Sequence, residues 1–132
     1  MGAWHAGPFD NDDAMDWVAE LEAEGLPAAG AILQGVSDLE DGDYLDAPIA
    51  SQALAAAEVV AALRGQPRSE LPDDVAAWVA RYPEDPGPEL LGHARRAVAR
   101  VVRESELKEL WEESAEAGVW RAATEDLRRR LA

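Results

Sequence analysis

Apolar residues recur every three to four positions along most of the chain, which is the spacing of one face of an α-helix. The first clear set is Ala14, Trp17, Val18 and Leu21. Gly25 and Pro27 follow this set and predict the end of a helix. The alternation of apolar and polar residues that marks a β-strand persists nowhere in the chain. The pattern therefore predicts an all-α protein.

Capping residues and breakers predict where the helices begin and end. Asp10 is the predicted N-cap of the first helix, and Asp13 stands in the reciprocal position of a capping box. The other predicted elements are a weaker helix from about Pro27 to Leu39, a helix capped by Asp46 and ended by Gly65, a short helix starting at Asp73 and Asp74, a helix from about Glu89 to Arg103, a helix capped by Ser105, and a last helix that starts after a break at Gly118. The chain of 132 residues is therefore predicted to be one domain, residues 1–132. We expect a compact bundle of about six or seven helices.

The helix predicted at residues 46–64 is apolar on nearly all sides, which is typical of a helix in the middle of a bundle. Glu58 is the only charged residue between positions 53 and 63. It shares a narrow stripe with Ser51 and Ala55, and we expect that stripe to face solvent. If the stripe faces the core instead, Glu58 needs a partner.

Aromatic residues are predicted to fill gaps that the many alanines leave in the core. At helical spacing, such residues usually belong to the core rather than to a ligand pocket. The set is Trp4, Phe9, Trp17, Trp78, Trp111 and Trp120.

Charge is distributed unevenly along the chain. The net charge is −15, and the first 66 residues hold 13 acidic residues and a single Lys or Arg, Arg64. Such a field repels phosphate, which disfavours nucleic-acid binding, and it attracts cations or a basic protein. The simpler interpretation is that acidity keeps the protein soluble.

Several classes of chemistry have no support in the sequence. The chain has no Cys, which excludes disulfides, thiolate zinc sites and thiol nucleophiles. Its two histidines, His5 and His93, cannot by themselves form a His-rich zinc site. No phosphate-binding loop, hydrolase elbow, membrane span or export signal is present. We therefore expect a cytoplasmic protein with no cofactor and no membrane partner.

Two acidic clusters offer oxygen ligands for a hard cation. Asp12, Asp13 and Asp16 lack the glycine and closing glutamate of a calcium loop, and helix capping accounts for them without a metal. Asp41 and Asp43 flank Gly42, but in a calcium-loop register Leu39 would occupy a ligand position. A mobile acidic loop is the simpler interpretation of that segment.

A basic face is predicted on the helix that ends near Arg103. Its members are Arg95, Arg96, Arg100 and Arg103. Arginines at this spacing can grip an anion. The interpretation we favour is charge matching against acidic helices of the same chain or of a second copy.

Three stretches of the chain resemble a bacterial family known as domain of unknown function 4259. They are residues 2–17, 44–61 and 105–113, and they include Gly2-Ala3-Trp4, Tyr44-Leu45-Asp46-Ala47-Pro48 and Leu110-Trp111. Members of that family tend to carry a second Gly after the first Trp, where this chain has His5. The resemblance implies a small, helical, cytoplasmic bacterial protein, and it carries over no catalytic residue, substrate or cofactor.

The leading functional hypothesis is a non-enzymatic acidic protein-binding module, toxin-neutralising or adaptor-like. Its partner would be a basic protein or a second copy of the chain. The alternative is an enzyme or metal-binding protein in which Asp12, Asp13, Asp16 and Glu58 converge. The candidate interaction residues are Asp12, Asp13, Asp16, Asp41, Asp43, Glu58, Arg95, Arg96 and Arg100.

Overall fold

A computed structural model describes residues 9, 11–82 and 84–132 of the chain, and these residues form seven α-helices and no strand. The helices are α1 (Asp12–Glu24), α2 (Leu26–Ser37), α3 (Ala47–Leu63), α4 (Asp73–Arg81), α5 (Pro88–Arg103), α6 (Glu106–Glu112) and α7 (Ala117–Leu131). The predicted all-α class is thereby confirmed. No helix in this part of the chain combines the length and the apolar character that crossing a bilayer requires.

Helix α3 lies at the centre of the bundle, as its apolar sequence predicts, and it packs against every other helix. Only four of its residues, Pro48, Ile49, Gln52 and Leu63, are not buried. The alanines of α3 let its neighbours approach closely, because a methyl group adds little to the distance between two helix axes.

Side chains at the helix starts determine where three helices begin. Asn11 caps α1 by accepting a hydrogen bond from the Ala14 amide at 2.8 Å. The prediction of a cap at Asp10 was wrong by one position, and Asp10 itself lies outside the described residues. The caps predicted at Asp46 and Ser105 are confirmed, because each side chain accepts a hydrogen bond from a backbone amide three residues later.

The break before the last helix was predicted at the wrong residue. Gly118 lies in the first turn of α7, where glycine is tolerated. The chain turns earlier, at Ser114, whose hydroxyl donates to the Trp111 carbonyl at 2.9 Å and accepts from the Glu116 amide at 3.1 Å. A serine that bonds its neighbouring backbone provides an alternative to helix continuation.

The predicted aromatic core is confirmed at every position that the structure describes. The buried aromatic residues include Phe9, Trp17, Trp78, Trp111 and Trp120. Trp17 also joins α1 to α2, since its indole N–H donates to the Ala28 carbonyl at 3.4 Å. Trp4 lies outside the described residues.

Glu58 faces the core rather than solvent, so the expectation of an exposed stripe on α3 was wrong. Its side chain is 1% exposed. Both of its carboxylate oxygens accept hydrogen bonds from the Arg130 guanidinium, at 2.8 and 2.9 Å. The partner that a buried Glu58 requires is therefore supplied by the last helix, 72 positions further along the chain.

The same guanidinium holds a second carboxylate at the surface of the bundle. Arg130 Nε donates to Asp126 Oδ2 at 2.8 Å, and this hydrogen bond holds the pKa of Asp126 below its ordinary value. Burial acts to lower the pKa of Arg130, but the hydrogen bonds and charge of Glu58 and Asp126 outweigh burial and raise it. The network joins α3 to α7 through one guanidinium.

Candidate interaction surface

Helix α1 presents four carboxylates spaced four residues apart along its exposed side. These residues, which we call the acidic ridge, are Asp12, Asp16, Glu20 and Glu24. None of them forms an ion pair with another residue that the structure describes. Like charges four residues apart on a helix destabilise it by roughly 0.2–0.5 kcal/mol per pair. The helix dipole favours Asp12 in the first turn, but Asp16, Glu20 and Glu24 lie further along α1, where this effect fades and the repulsion between them remains.

Asp13 does not belong to the ridge, although the sequence groups it with Asp12 and Asp16. It is half-buried, and its backbone carbonyl accepts a hydrogen bond from the Gln52 side chain of α3 at 3.3 Å. Its position in the first turn of α1 places its charge near the positive end of the helix dipole. Its interaction with the helix dipole accounts for this residue, while Asn11 is the N-cap of α1.

Helix α2, which follows α1 directly, has no charged residue in its 12 positions. Its exposed positions are Pro27, Ala31, Gln34 and Gly35. A Cβ atom added at Gly35 would meet nothing within 4 Å. The outer face of α2 is therefore uncharged, and it is open at Gly35.

Two clefts lie along this face, one on either side of α2 residues Ala31 and Ile32, which line both of them. The first cleft, of about 220 Å³, lies between α1 and α2 and is lined by Trp17, Glu20, Glu24, Ala28, Ala31, Ile32 and Gln52. The second cleft, of about 330 Å³, is lined by Ala31, Ile32, Gly35, Val36, Leu39, Tyr44, Leu45, Asp46 and Ile49. We call the two together the α2 groove. Its lining is mostly apolar, with three acidic residues and no basic one.

Tyr44 stands at the edge of the α2 groove and is 73% exposed. Its hydroxyl donates a hydrogen bond to the Glu106 carboxylate, and this bond raises the pKa of Tyr44 above its ordinary value. An exposed tyrosine with an apolar ring and a polar tip suits a protein-binding surface.

The acidic loop that connects α2 to α3 is fastened to α5 by one buried arginine. The Arg100 side chain is 4% exposed. Its guanidinium donates to three backbone carbonyls, those of Glu104 at 3.0 Å, Glu40 at 3.2 Å and Asp43. The sequence interpretation of a mobile loop did not foresee this anchor, since backbone carbonyls leave no trace in the sequence.

The loop carboxylates are partly engaged as well. Asp41 pairs with Arg103 at 3.0 Å, as the charge-matching interpretation of the basic face expects. Asp43 Oδ2 accepts a hydrogen bond from the Glu40 amide at 2.8 Å. These two acids differ from the ridge, whose carboxylates have no such partners among the described residues.

Arg95 and Arg96 lie apart from the loop that Arg100 and Arg103 contact. Arg95 Nε donates to the Leu131 carbonyl of α7 at 2.6 Å. Arg96 Nη2 lies 3.0 Å from Nδ1 of His93, and the same ring nitrogen lies 3.2 Å from the Ser37 hydroxyl. The four arginines therefore serve different contacts and do not form a single anion site.

The cluster of carboxylates that a metal site requires does not occur in the described part of the chain. There, no three His, Asp or Glu side chains lie close enough together to hold a metal ion. Glu58 is turned toward Arg130 on α7 and away from the acids of α1. Sequence reasoning missed the α2 groove, although the absence of charge from α2 was a usable signal.

Comparison with known proteins identifies one family. The family model of DUF4259, a domain of unknown function, matches residues 2–123. No curated protein and no solved structure matches the chain.

Proposed function

The chain belongs to the DUF4259 family, a domain of unknown function, and on that premise we propose that it is a non-enzymatic acidic module that binds a basic protein. Toxin-neutralising and adaptor roles are the two classes that this activity fits. A cytoplasmic location is part of the proposal, and a basic cytoplasmic protein is the partner it names.

The observation that carries the proposal is the unpartnered acidic ridge of α1. Elsewhere in the described residues, some exposed acids such as Asp41 and Glu112 pair with arginines, and others such as Glu113 do not. The ridge differs from these in placing four carboxylates without an ion pair to any described residue in one row on one helix. The ridge carboxylates have no such partner and repel one another along the helix. A partner that brings Lys or Arg side chains to the ridge would relieve this repulsion as it binds.

The surrounding charge supports the same proposal. All but one of the Lys and Arg residues lie after position 66, so α1 and α2 themselves contain no basic residue, although the arginine-bearing helix α5 packs against α2. The acids of α1 therefore produce a negative field on the side of the bundle where α1 lies. Such a field steers a basic partner toward this side of the molecule and speeds its association. Salt screens the field over about 10 Å at 0.1 M, so binding should weaken as ionic strength rises.

A matched pair of variants tests whether the ridge itself binds the partner. The ridge variant carries Asp12→Asn, Asp16→Asn, Glu20→Gln and Glu24→Gln. The control variant carries Glu70→Gln, Glu84→Gln, Glu89→Gln and Glu113→Gln, which are exposed acids on other parts of the surface. Both variants lose four negative charges, so they have the same net charge. The probe is a short poly-lysine peptide, titrated by calorimetry at low and high salt.

We expect the ridge variant to bind poly-lysine about tenfold more weakly than the wild type, since exposed ion pairs contribute roughly 0.2–1 kcal/mol each. The control variant should lose only a small part of that affinity. Equal losses in the two variants would mean that net charge alone attracts the peptide, and the ridge would not be the site. Binding that is insensitive to salt would also contradict the proposal.

A further inference from the structure

We propose that the α2 groove is the docking site for a basic amphipathic helix of the partner. This inference rests on the proposed function and deepens it. It says which surface of the module makes the apolar contacts and what kind of segment occupies it.

The outer face of α2 is shaped for close approach by another helix. Pro27, Ala31 and Gly35 lie four residues apart and are exposed, so they form one row of small side chains. Small residues let two helix axes approach more closely than large ones do. At Gly35 the groove is open, because a Cβ atom there would meet nothing within 4 Å.

Charge complementarity identifies the chemistry of the occupant. The lining of the groove is mostly apolar, with Ile32 and Val36 among its residues, while Glu20 and Glu24 line the first cleft and Asp46, whose Oδ1 also caps α3, lines the second. A helix with Leu-type residues on one face and Lys or Arg on its flanks complements both the apolar lining and these acids. A single α2-length segment of 12 residues spans about 18 Å, or three to four turns of such a helix.

A helix fits this surface better than an extended peptide. An extended peptide that binds by β-augmentation gains its main-chain hydrogen bonds by adding a strand to a sheet edge. The described residues form no strand, so they offer no such edge. A helix brings its own backbone hydrogen bonds and presents only side chains to the groove.

A second copy of the chain fits the groove less well than a basic partner. Each copy carries a net charge of −15, so two copies repel each other. The exposed arginines of α7 are also already engaged, Arg128 with Glu125 and Arg129 with Asp126. A second copy is therefore an outcome of the test and not the expected occupant.

Two peptides and two variants separate the groove from the acidic ridge. The first peptide is a Leu–Lys helix of about 14 residues, long enough to cover α2. The second has Gln in place of every Leu and keeps every Lys. The groove variant is Gly35→Leu, which fills the open position. The matched control is Gly30→Leu in the same helix, where a Cβ atom also meets nothing within 4 Å and which lines neither cleft.

We expect the full-length protein to bind the Leu–Lys peptide at least about tenfold more tightly than the Lys–Gln peptide, since only the first buries apolar side chains. Gly35→Leu should abolish this difference and leave Lys–Gln binding unchanged, and Gly30→Leu should preserve it. Both variants should fold, because leucine favours a helix more than glycine does. Melting temperatures check this point.

Each of the following results would contradict the inference. Equal affinity for the two peptides would overturn the groove and leave the proposed function standing, whereas failure of both peptides to bind would overturn both. Equal effects of the two glycine variants would place the contact elsewhere. A dimer of the protein alone that Gly35→Leu dissociates, detected by sedimentation, would make a second copy the occupant. A bound Leu–Lys peptide without helical circular dichroism would contradict a helical occupant.

Discussion

Glu58 shows what a single residue can and cannot reveal in this chain. From the sequence, one glutamate among alanines is compatible with a solvent-facing stripe, and that was the expectation. In the structure both of its oxygens bind Arg130, which lies 72 positions away. No local pattern encodes a partner at that distance, because charge pairing between helices depends on how the helices pack.

The ion pair makes a prediction about stability. Glu58→Gln should lower the free energy of unfolding by about 3 kcal/mol, since it leaves a largely buried guanidinium with less compensation. Replacing both residues, with Glu58→Met and Arg130→Met, should cost less than the two single changes together, because no buried charge is left unpaired. Urea denaturation measures the wild type, Glu58→Gln, the single variants Glu58→Met and Arg130→Met, and the double variant. A double variant whose loss equals the sum of the single losses would show that the pair is not coupled.

At the scale of elements, the sequence predicted the helices well and the connection between α2 and α3 poorly. Periodicity and caps located α3, α4, α5 and α6 closely, because these signals are local. The connection owes its conformation to Arg100, which reaches it from α5 and binds backbone carbonyls. A carbonyl is present at every residue, so nothing in the sequence marks which ones accept the guanidinium.

The anchoring role of Arg100 can be tested by comparison with Arg103, which forms an exposed ion pair with Asp41. Arg100→Met should lower the free energy of unfolding by about 2 kcal/mol, because it leaves carbonyls unsatisfied. Amides of residues 40–43 should then exchange hydrogen faster. Arg103→Met, which removes the exposed pair with Asp41, should cost less than about 1 kcal/mol. Unchanged exchange in the Arg100 variant would contradict the anchoring role.

At the scale of the whole molecule, charge and architecture divide the protein into two sides. The basic residues of α5 and α7 form hydrogen bonds or ion pairs with other residues of the chain, as Arg100 and Arg130 illustrate. The ridge acids of α1 form no ion pair with the described residues, and the neighbouring helix α2 carries no charge. The sequence revealed the acidity of the first half. It did not reveal the groove, because a groove arises from the packing of α2 beside α1 and the start of α3.

The central claim is that the basic partner binds the surface formed by α1 and α2. Amide chemical shifts test that claim most directly. The full-length protein, labelled with ¹⁵N, is titrated with the Leu–Lys peptide at low salt, and each shift change is assigned to its residue. The account predicts the largest changes in α1, in α2 and at residues 44–49. Changes that are largest in α5 and α7, or spread evenly over the surface, would contradict it.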